Sequence, residues 1–159
     1  MRQPSASATI VDAGVLDAPV LASLYQAVLD DGAWTEAAIA HLLESGGGFA
    51  LLASGRAYGE IMPQGFGLGR VTVDEAELLA IGVLPDARRM GLGNRLVEAM
   101  SAAAHRFGAS RLFLEVRNNN SGALALYGKA GFQLVGCRPA YYHGPMGNIT
   151  DANILAKEV

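Results

Sequence analysis

Between Ala76 and Phe107 the chain runs from an almost unbroken apolar stretch, Ala76 to Leu84, through a turn rich in arginine and glycine into a long segment with helical spacing. An apolar run without alternation suits a central strand covered on both faces. Leu92, Leu96, Met100, Ala103 and Phe107 recur on one face of a helix, which Gly108 terminates. A buried strand feeding a helix commits this half of the chain to layered packing of helices on a sheet. The turn between them reads Arg88-Arg89-Met90-Gly91-Leu92-Gly93-Asn94. Backbone N–H groups at a helix start, unobstructed where glycines lack Cβ, can cradle phosphate oxygens, and the helix dipole favours the anion. Two arginines beside the cradle add positive charge. The alternative is a tight turn whose glycines only relieve crowding.

The rest of the chain fills in around this unit. Ala8 to Val11 reads as a first strand. Leu21, Leu24, Tyr25, Val28 and Leu29 follow a helical spacing that runs into Asp30-Asp31-Gly32. Thr35 can cap a short helix with Ile39, Leu42 and Leu43 on its apolar side, stopped by Gly46-Gly47-Gly48. Phe49 to Ala53 and Tyr58 to Met62, separated by Ser54-Gly55, predict a hairpin. The pairing of the glycine-rich stretch Pro63 to Gly69 is left open. Arg111 to Val116 predicts a strand with Leu112, Leu114 and Val116 on one face and Phe113 and Glu115 on the other. Asn119 or Asn120 can cap a helix burying Ala123, Leu126, Tyr127 and Ala130, closed by Gly131. Phe132 to Cys137 and Asn153 to Ala156 supply two closing strands.

A chain of 159 residues with 51% hydrophobic and 17% charged residues is expected to form one folded domain over residues 1–159, with 1–7 as a flexible tail. A net charge of −3 argues against a nucleic-acid binder, which carries a basic face. Cys137 is the one cysteine, so no disulfide closes within the chain; it is expected as a small buried residue near a strand end. His41, His105 and His143 are scattered and lack metal-ligand spacing, so no metal is expected. Met1 to Ala8 lacks the apolar core of a secretory signal, and no apolar run approaches the ~18 residues of a membrane span. A cytoplasmic location with no membrane partner is the expectation.

Gly91-Leu92-Gly93 before a helix, with Glu115 on the next strand, imitates a dinucleotide-binding fingerprint. Three details oppose it. Leu96 stands where the third glycine belongs, Pro85 to Met90 separates the strand from the glycines, and few residues follow Glu115 to complete a doubly wound sheet. The segment instead resembles the GNAT superfamily of N-acetyltransferases, whose signature [Q/R]-x-x-G-x-[G/A] is met by Arg88, Gly91 and Gly93. Within it, Leu114-Glu115-Val116-Arg117-Asn118-Asn119-Asn120, Ala125-Leu126-Tyr127 with Gly131-Phe132, and Tyr141-Tyr142 resemble the RimI-type [ribosomal protein]-alanine N-acetyltransferases.

That resemblance implies an α/β (α+β) fold with a mixed, mostly antiparallel central sheet, splayed parallel strands and flanking helices. It implies acetyl-CoA as cosubstrate. The backbone of Ile81, Gly82 and Val83 would hold the pantetheine arm, Arg88, Arg89, Met90, Gly91, Leu92, Gly93 and Asn94 the pyrophosphate, and the side chain of Asn120 would also touch the cofactor. Glu115 matches the family's general base and Tyr127, twelve residues later, its general acid. The acceptor would be the N-terminal alanine of a ribosomal protein, bound near Trp34, Tyr141 and Tyr142 with Asp30, Asp31 and Glu36 favouring a basic peptide; a monomer or homodimer is expected. A small-molecule amine, a lysine side chain, or CoA binding without catalysis are the alternatives.

The chemistry is coherent. An α-amino group with pKa about 7.7–8.0 reaches its neutral, nucleophilic form at little cost, whereas a lysine amine at about 10.4 needs more help. Phe113, on the same strand face as Glu115, can pack against the carboxylate and make it a better base. A backbone N–H near Val83 can meet the oxyanion, and a tyrosine can serve the departing thiolate. Taken singly, Glu115 could equally pair with Arg117, two residues on along its face, and Tyr127 could be core. Two departures stand out: Leu84, where the resembling proteins are commonly acidic, and the loop His143 to Asn148, whose composition differs from their usual polar linker.

Overall fold

The structure, a computed structural model, describes residues 8–29 and 31–159. The expected tail at 1–7 and Asp30 lie outside the described residues. Strand β1 (Thr9–Ala13) leads through a 3₁₀ turn into helix α1 (Ala18–Val28), followed by α2 (Glu36–Glu44), β2 (Gly48–Ala57), β3 (Glu60–Thr72), β4 (Glu75–Val83), α3 (Leu92–Arg106), β5 (Arg111–Arg117), α4 (Ser121–Lys129), β6 (Gln133–His143) and β7 (Ile149–Glu158). The strands form one seven-stranded sheet in the order β1-β2-β3-β4-β5-β7-β6. Every pairing is antiparallel except β4 with β5.

The hairpin turn falls at Tyr58-Gly59 rather than at Ser54-Gly55, because β2 continues to Ala57 past a register shift between Ala53 and Ser54. The glycine-rich stretch is the middle of β3, and its glycines are there for close approach. A Cβ on Gly65 would come within 3.0 Å of Leu96 Cδ1, and one on Gly67 within 2.5 Å of Met100 Sδ. Bare backbone at alternate positions thus lets α3 lie down on the strand. Leu96 and Met100 are fully buried there, each worth about 1.5–3 kcal/mol of burial.

Helices α1 and α2 cover one face of β2 to β4, around Leu21, Leu24, Ile39, Phe66 and Leu68. The opposite face carries α3 and α4 against Leu112, Leu114 and Val116. Thr35 caps α2, its Oγ1 accepting from the Ala38 N–H at 3.1 Å, and Asn120 rather than Asn119 caps α4, its Oδ1 accepting from the Ala123 N–H at 3.1 Å. Phe107 follows α3 and is half exposed, stacked on Phe49 at 5.3 Å rather than buried in the helix face.

Two irregularities prepare the site. In β4, Leu78 pairs with Gly69 and Ala80 with Leu68, which leaves Leu79 as a bulge. Before it Ala76 and Leu78 face α3; after it Ile81 and Val83 do, while Ala80 faces the α1–α2 layer. The parallel ladder between β4 and β5 holds only for Glu75–Arg111, Ala76–Leu112 and Glu77–Phe113. Beyond Glu77 the two strands part, and the edge of β4 toward β5 has no strand partner as far as Val83.

Candidate active site

Of the expected site residues, Ile81, Gly82, Val83 and Glu115 stand on the two strands that part, while Trp34 packs in the α1–α2 layer and Tyr141 and Tyr142 stand on β6. Ile81, Gly82 and Val83 stand on the unpaired part of β4. An extended ligand can add to that edge through main-chain hydrogen bonds, as a peptide adds to an open sheet. Gly82 lies directly beneath Phe66 and Val28, with no room for a side chain. At the open end, Gly91 is the N-cap of α3 in the left-handed conformation, φ +77, and no side chain caps the helix. The first-turn N–H groups of α3 therefore point out of a bare turn, as an anion cradle requires.

The neighbouring residues divide the work differently from the sequence pattern. Arg88 folds back, its Nε donating to the Val83 carbonyl at 2.9 Å, and so pins the turn to the end of β4. Arg89 is exposed at φ +64, and Met90 is exposed beside it. Leu92 is buried with Ala53, Ala87 and Leu96, so it offers the cradle its backbone alone. Gly93 and Asn94 are half-buried in the first turn. Asn120, across the gap on α4, has its side-chain oxygen engaged as a cap. The residues present fit a pyrophosphate-bearing cosubstrate with an extended arm.

Glu115 and Tyr127 lie on opposite faces of the sheet. On β5, Leu112, Leu114 and Val116 turn toward α3 and α4, so Phe113, Glu115 and Arg117 turn the other way. Tyr127 is buried on α4 in the first of these layers, edge-on to Phe132 at 5.6 Å. Burial, with a smaller contribution from the Tyr142 phenol, pushes its pKa up to about 12. Glu115 lies on the other face and is paired with Arg138 at 3.2 Å. Its partner is thus not Arg117, whose guanidinium lies over the Tyr142 ring at 4.4 Å. Arg138 in turn lies over Tyr141 at 5.1 Å. Sequence reasoning passed over Arg138; its long side chain crosses β7 to Glu115, and no local pattern signals that.

On the Glu115 face a cleft of about 290 Å³ lies over the β4–β5 ladder, lined among others by Arg70, Glu77, Phe113, Glu115, Arg138 and Ile154. Arg70 and Glu77 pair across β3 and β4 at 3.6 Å. Tyr142 is half-buried, its phenol pushed up first by burial and then by the Glu115 charge, and it in turn adds to the upward push on Tyr127. Trp34 packs into the α1–α2 layer, where it anchors the second helix. Asp31 accepts from the buried Tyr25 hydroxyl and from the Ala33 N–H, which fixes the loop between α1 and α2. Cys137 is exposed on β6 rather than buried, because β6 is an edge strand with no helix over it. Among the described residues no group of three His, Cys, Asp or Glu side chains could hold a metal ion, and no helix is long and apolar enough to cross a membrane.

A mostly antiparallel sheet with one splayed parallel pair beside a bare glycine turn is the acyltransferase architecture that the sequence resemblance implied. Residues 21–132 match the Acetyltransferase (GNAT) family, and the chain belongs to that family. Over 91 residues it is 41% identical to the [Ribosomal protein bS18]-alanine N-acetyltransferase of Escherichia coli strain K12, a stretch covering 57% of this chain and 61% of that one. Over 75 residues it is 45% identical to the N-alpha-acetyltransferase RimI of Mycobacterium tuberculosis, covering 47% and 46%. These matches span less than two thirds of either relative. The crystal structure of the ribosomal-protein-S18-alanine N-acetyltransferase from Escherichia coli superposes with a TM-score of 0.81 at 30% identity, over 96% of this chain and 94% of that chain. Arabidopsis thaliana NAA60 in complex with acetyl-CoA superposes equally well, TM-score 0.81, over 96% and 99% of the two chains; at 15% identity this is likeness of fold.

Proposed function

We propose that the protein transfers the acetyl group of acetyl-CoA to a primary amine, and that the amine is the N-terminal alanine of a ribosomal protein. The observation that carries the reading is that β5 parts from β4 beside Ile81 to Val83, with Glu115 of β5 turned to one face of the sheet and Tyr127 buried on the other. The cosubstrate would lie on the α3–α4 side, its pyrophosphate at Arg89 to Asn94 and its arm along Ile81 to Val83. The acceptor would enter from the cleft beside Glu115, Tyr141 and Tyr142. The likeness to the two relatives above, whose names describe N-terminal acetylation, supports this acceptor.

Each residue then has a defined task. Glu115 takes the proton that the amine releases on attack, directly or through water. The Val83 backbone meets the charge that develops on the thioester oxygen. Tyr127 keeps its proton throughout the neutral range, so its O–H is available to the departing sulfur as general acid. A phenol near 12 is a weaker acid than a thiol near ≈ 8.5. Its donation is therefore a hydrogen bond that strengthens as thiolate charge builds up; CoA leaves as the thiolate, and the proton that Glu115 took from the amine returns through solvent to balance it.

The test is acetyl transfer itself. Incubation with acetyl-CoA and a peptide beginning Ala-Arg is expected to add one acetyl group at the N-terminus, read by mass. An inert peptide alongside acetylation of a small amine or of a lysine side chain would replace the acceptor and keep the enzyme. Binding of CoA with no transfer to any amine would reduce the protein to a binding module.

A further inference from the structure

The hairpin formed by β6 and β7 contains a second large irregularity. From Arg138 to Tyr142 β6 advances four residues while β7 goes only from Ala152 to Thr150. The surplus, within Pro139 to Tyr141, is thrown out as a bulge. Pro139 is tolerated there because edge strands and bulges release the need for its N–H. Ala140 sits at φ +55, a left-handed conformation that costs a residue with a Cβ about 1 kcal/mol or more. Something must hold it there.

That something is Asp151. Its Oδ1 accepts from the Ala140 N–H at 2.8 Å, and its backbone carbonyl accepts from the Asn118 N–H at 3.0 Å just past the end of β5. One half-buried residue thus ties the bulge of β6 to the strand that carries Glu115. The bulge decides where the next side chains fall. It brings Tyr142 level with Thr150 and onto Arg117, sets Tyr141 edge-on to Tyr142 at 5.0 Å, and leaves Arg138 stacked on Tyr141 while paired with Glu115.

We propose that Asp151 is a positioning residue for the acceptor groove: its carboxylate holds the 139–141 bulge, and through it Arg138 and Tyr142 are set against Glu115 and Arg117. The inference rests on the reading above that the acceptor enters on this face. Asp151 touches no reacting atom; it acts through the shape of β6. The proposed cosubstrate cradle at Gly91 opens α3 and shares no contact with the bulge in β6.

Steady-state kinetics on the full chain test it. Asp151→Ala is expected to raise the KM of whichever amine the wild type acetylates by roughly tenfold, the size of a lost charge-assisted hydrogen bond. The KM for acetyl-CoA is expected to stay within about twofold, as for a residue outside its site. Asp151→Asn retains an acceptor oxygen and is expected to recover most of the loss. Adding Ala140→Gly to Asp151→Ala removes the left-handed penalty and is expected to recover part. An unchanged amine KM in Asp151→Ala, or equal rises in both KM values with no rescue by asparagine, overturns the proposal. If the wild type acetylates no amine, the acetyltransferase reading is what has failed. The lock is then read by amide hydrogen exchange at Ala140, slow in wild type and Asp151→Asn and fast in Asp151→Ala; equal rates in all three overturn it.

Discussion

Glu115 on β5 and Arg138 on β6 meet at 3.2 Å across the intervening strand β7. The proposed base is therefore held by a cation before any acceptor arrives. A fixed carboxylate can be aimed, and the geometry of the proton transfer is set by the partner as well as by the strand.

Glu115→Gln is accordingly expected to lower kcat/KM by roughly 10²–10⁴-fold, the usual range for a general base, while acetyl-CoA binding persists. Arg138→Gln should cost less, about tenfold, since it removes the aim and keeps the base. Because Arg138 acts through Glu115, the double variant should be no slower than Glu115→Gln alone; additive losses in that cycle would show an independent role for Arg138.

Tyr127→Phe keeps the edge-on contact with Phe132 and removes only the hydroxyl. Turnover should fall by roughly 10²-fold or more, with CoA affinity by calorimetry unchanged. Unchanged turnover would leave Tyr127 as a core residue.

A Cβ at Gly91 meets nothing within 4 Å in the free protein. Gly91→Ala should therefore cost the fold only the left-handed strain of φ +77, about 1–2 kcal/mol in a melt. Any further loss of CoA affinity in Gly91→Ala, and the larger loss expected for Gly91→Val, reports on the phosphate cradle. Calorimetry showing normal CoA affinity in Gly91→Val would remove the turn from the site.

Gly67→Ala would drive a methyl to 2.5 Å from the fully buried Met100 sulfur. Urea melts should show about 1–3 kcal/mol of destabilisation from overpacking. In a Met100→Ala background the same glycine substitution should cost less than in the wild type, because the methyl then enters opened space.

Asp12 accepts from both terminal nitrogens of Arg106, at 3.1 and 2.9 Å, and tethers β1 to the end of α3. The Arg106 hydrogen bonds hold its carboxyl below the ordinary value. Its stabilising contribution is thus present above the unfolded value of about 3.9 and is lost as pH falls through the lower folded one. The pair is solvent-exposed, so Asp12→Asn should cost no more than about 1 kcal/mol near neutrality and nothing once both states are protonated.

The unit from β4 through α3 was legible because its signals are local: an apolar run, a glycine turn, a helical stripe closed by Gly108. The caps at Thr35 and Asn120 were legible for the same reason. The strand through Gly65 and Gly67 was not, since a glycine chosen for close approach carries no strand propensity and its reason, Met100, lies far along the chain. Likewise Arg138 and the Asp151 lock depend on strands that meet only after folding. Glu115 and Tyr127 were proposed as a pair by resemblance; their placement on opposite faces needed the sheet.

The short parallel ladder at Glu75 to Glu77 has one more consequence. It makes the sheet two plates joined at a narrow weld, braced by α3. A plate edge left open is a mechanical seam, and what fills the seam joins the cooperative unit. Cosubstrate occupancy should then add RT ln(1 + [L]/Kd) to the stability of the whole chain, felt first as slowed exchange along Ile81 to Val83. Saturation would be sensed by the fold as well as by the reaction.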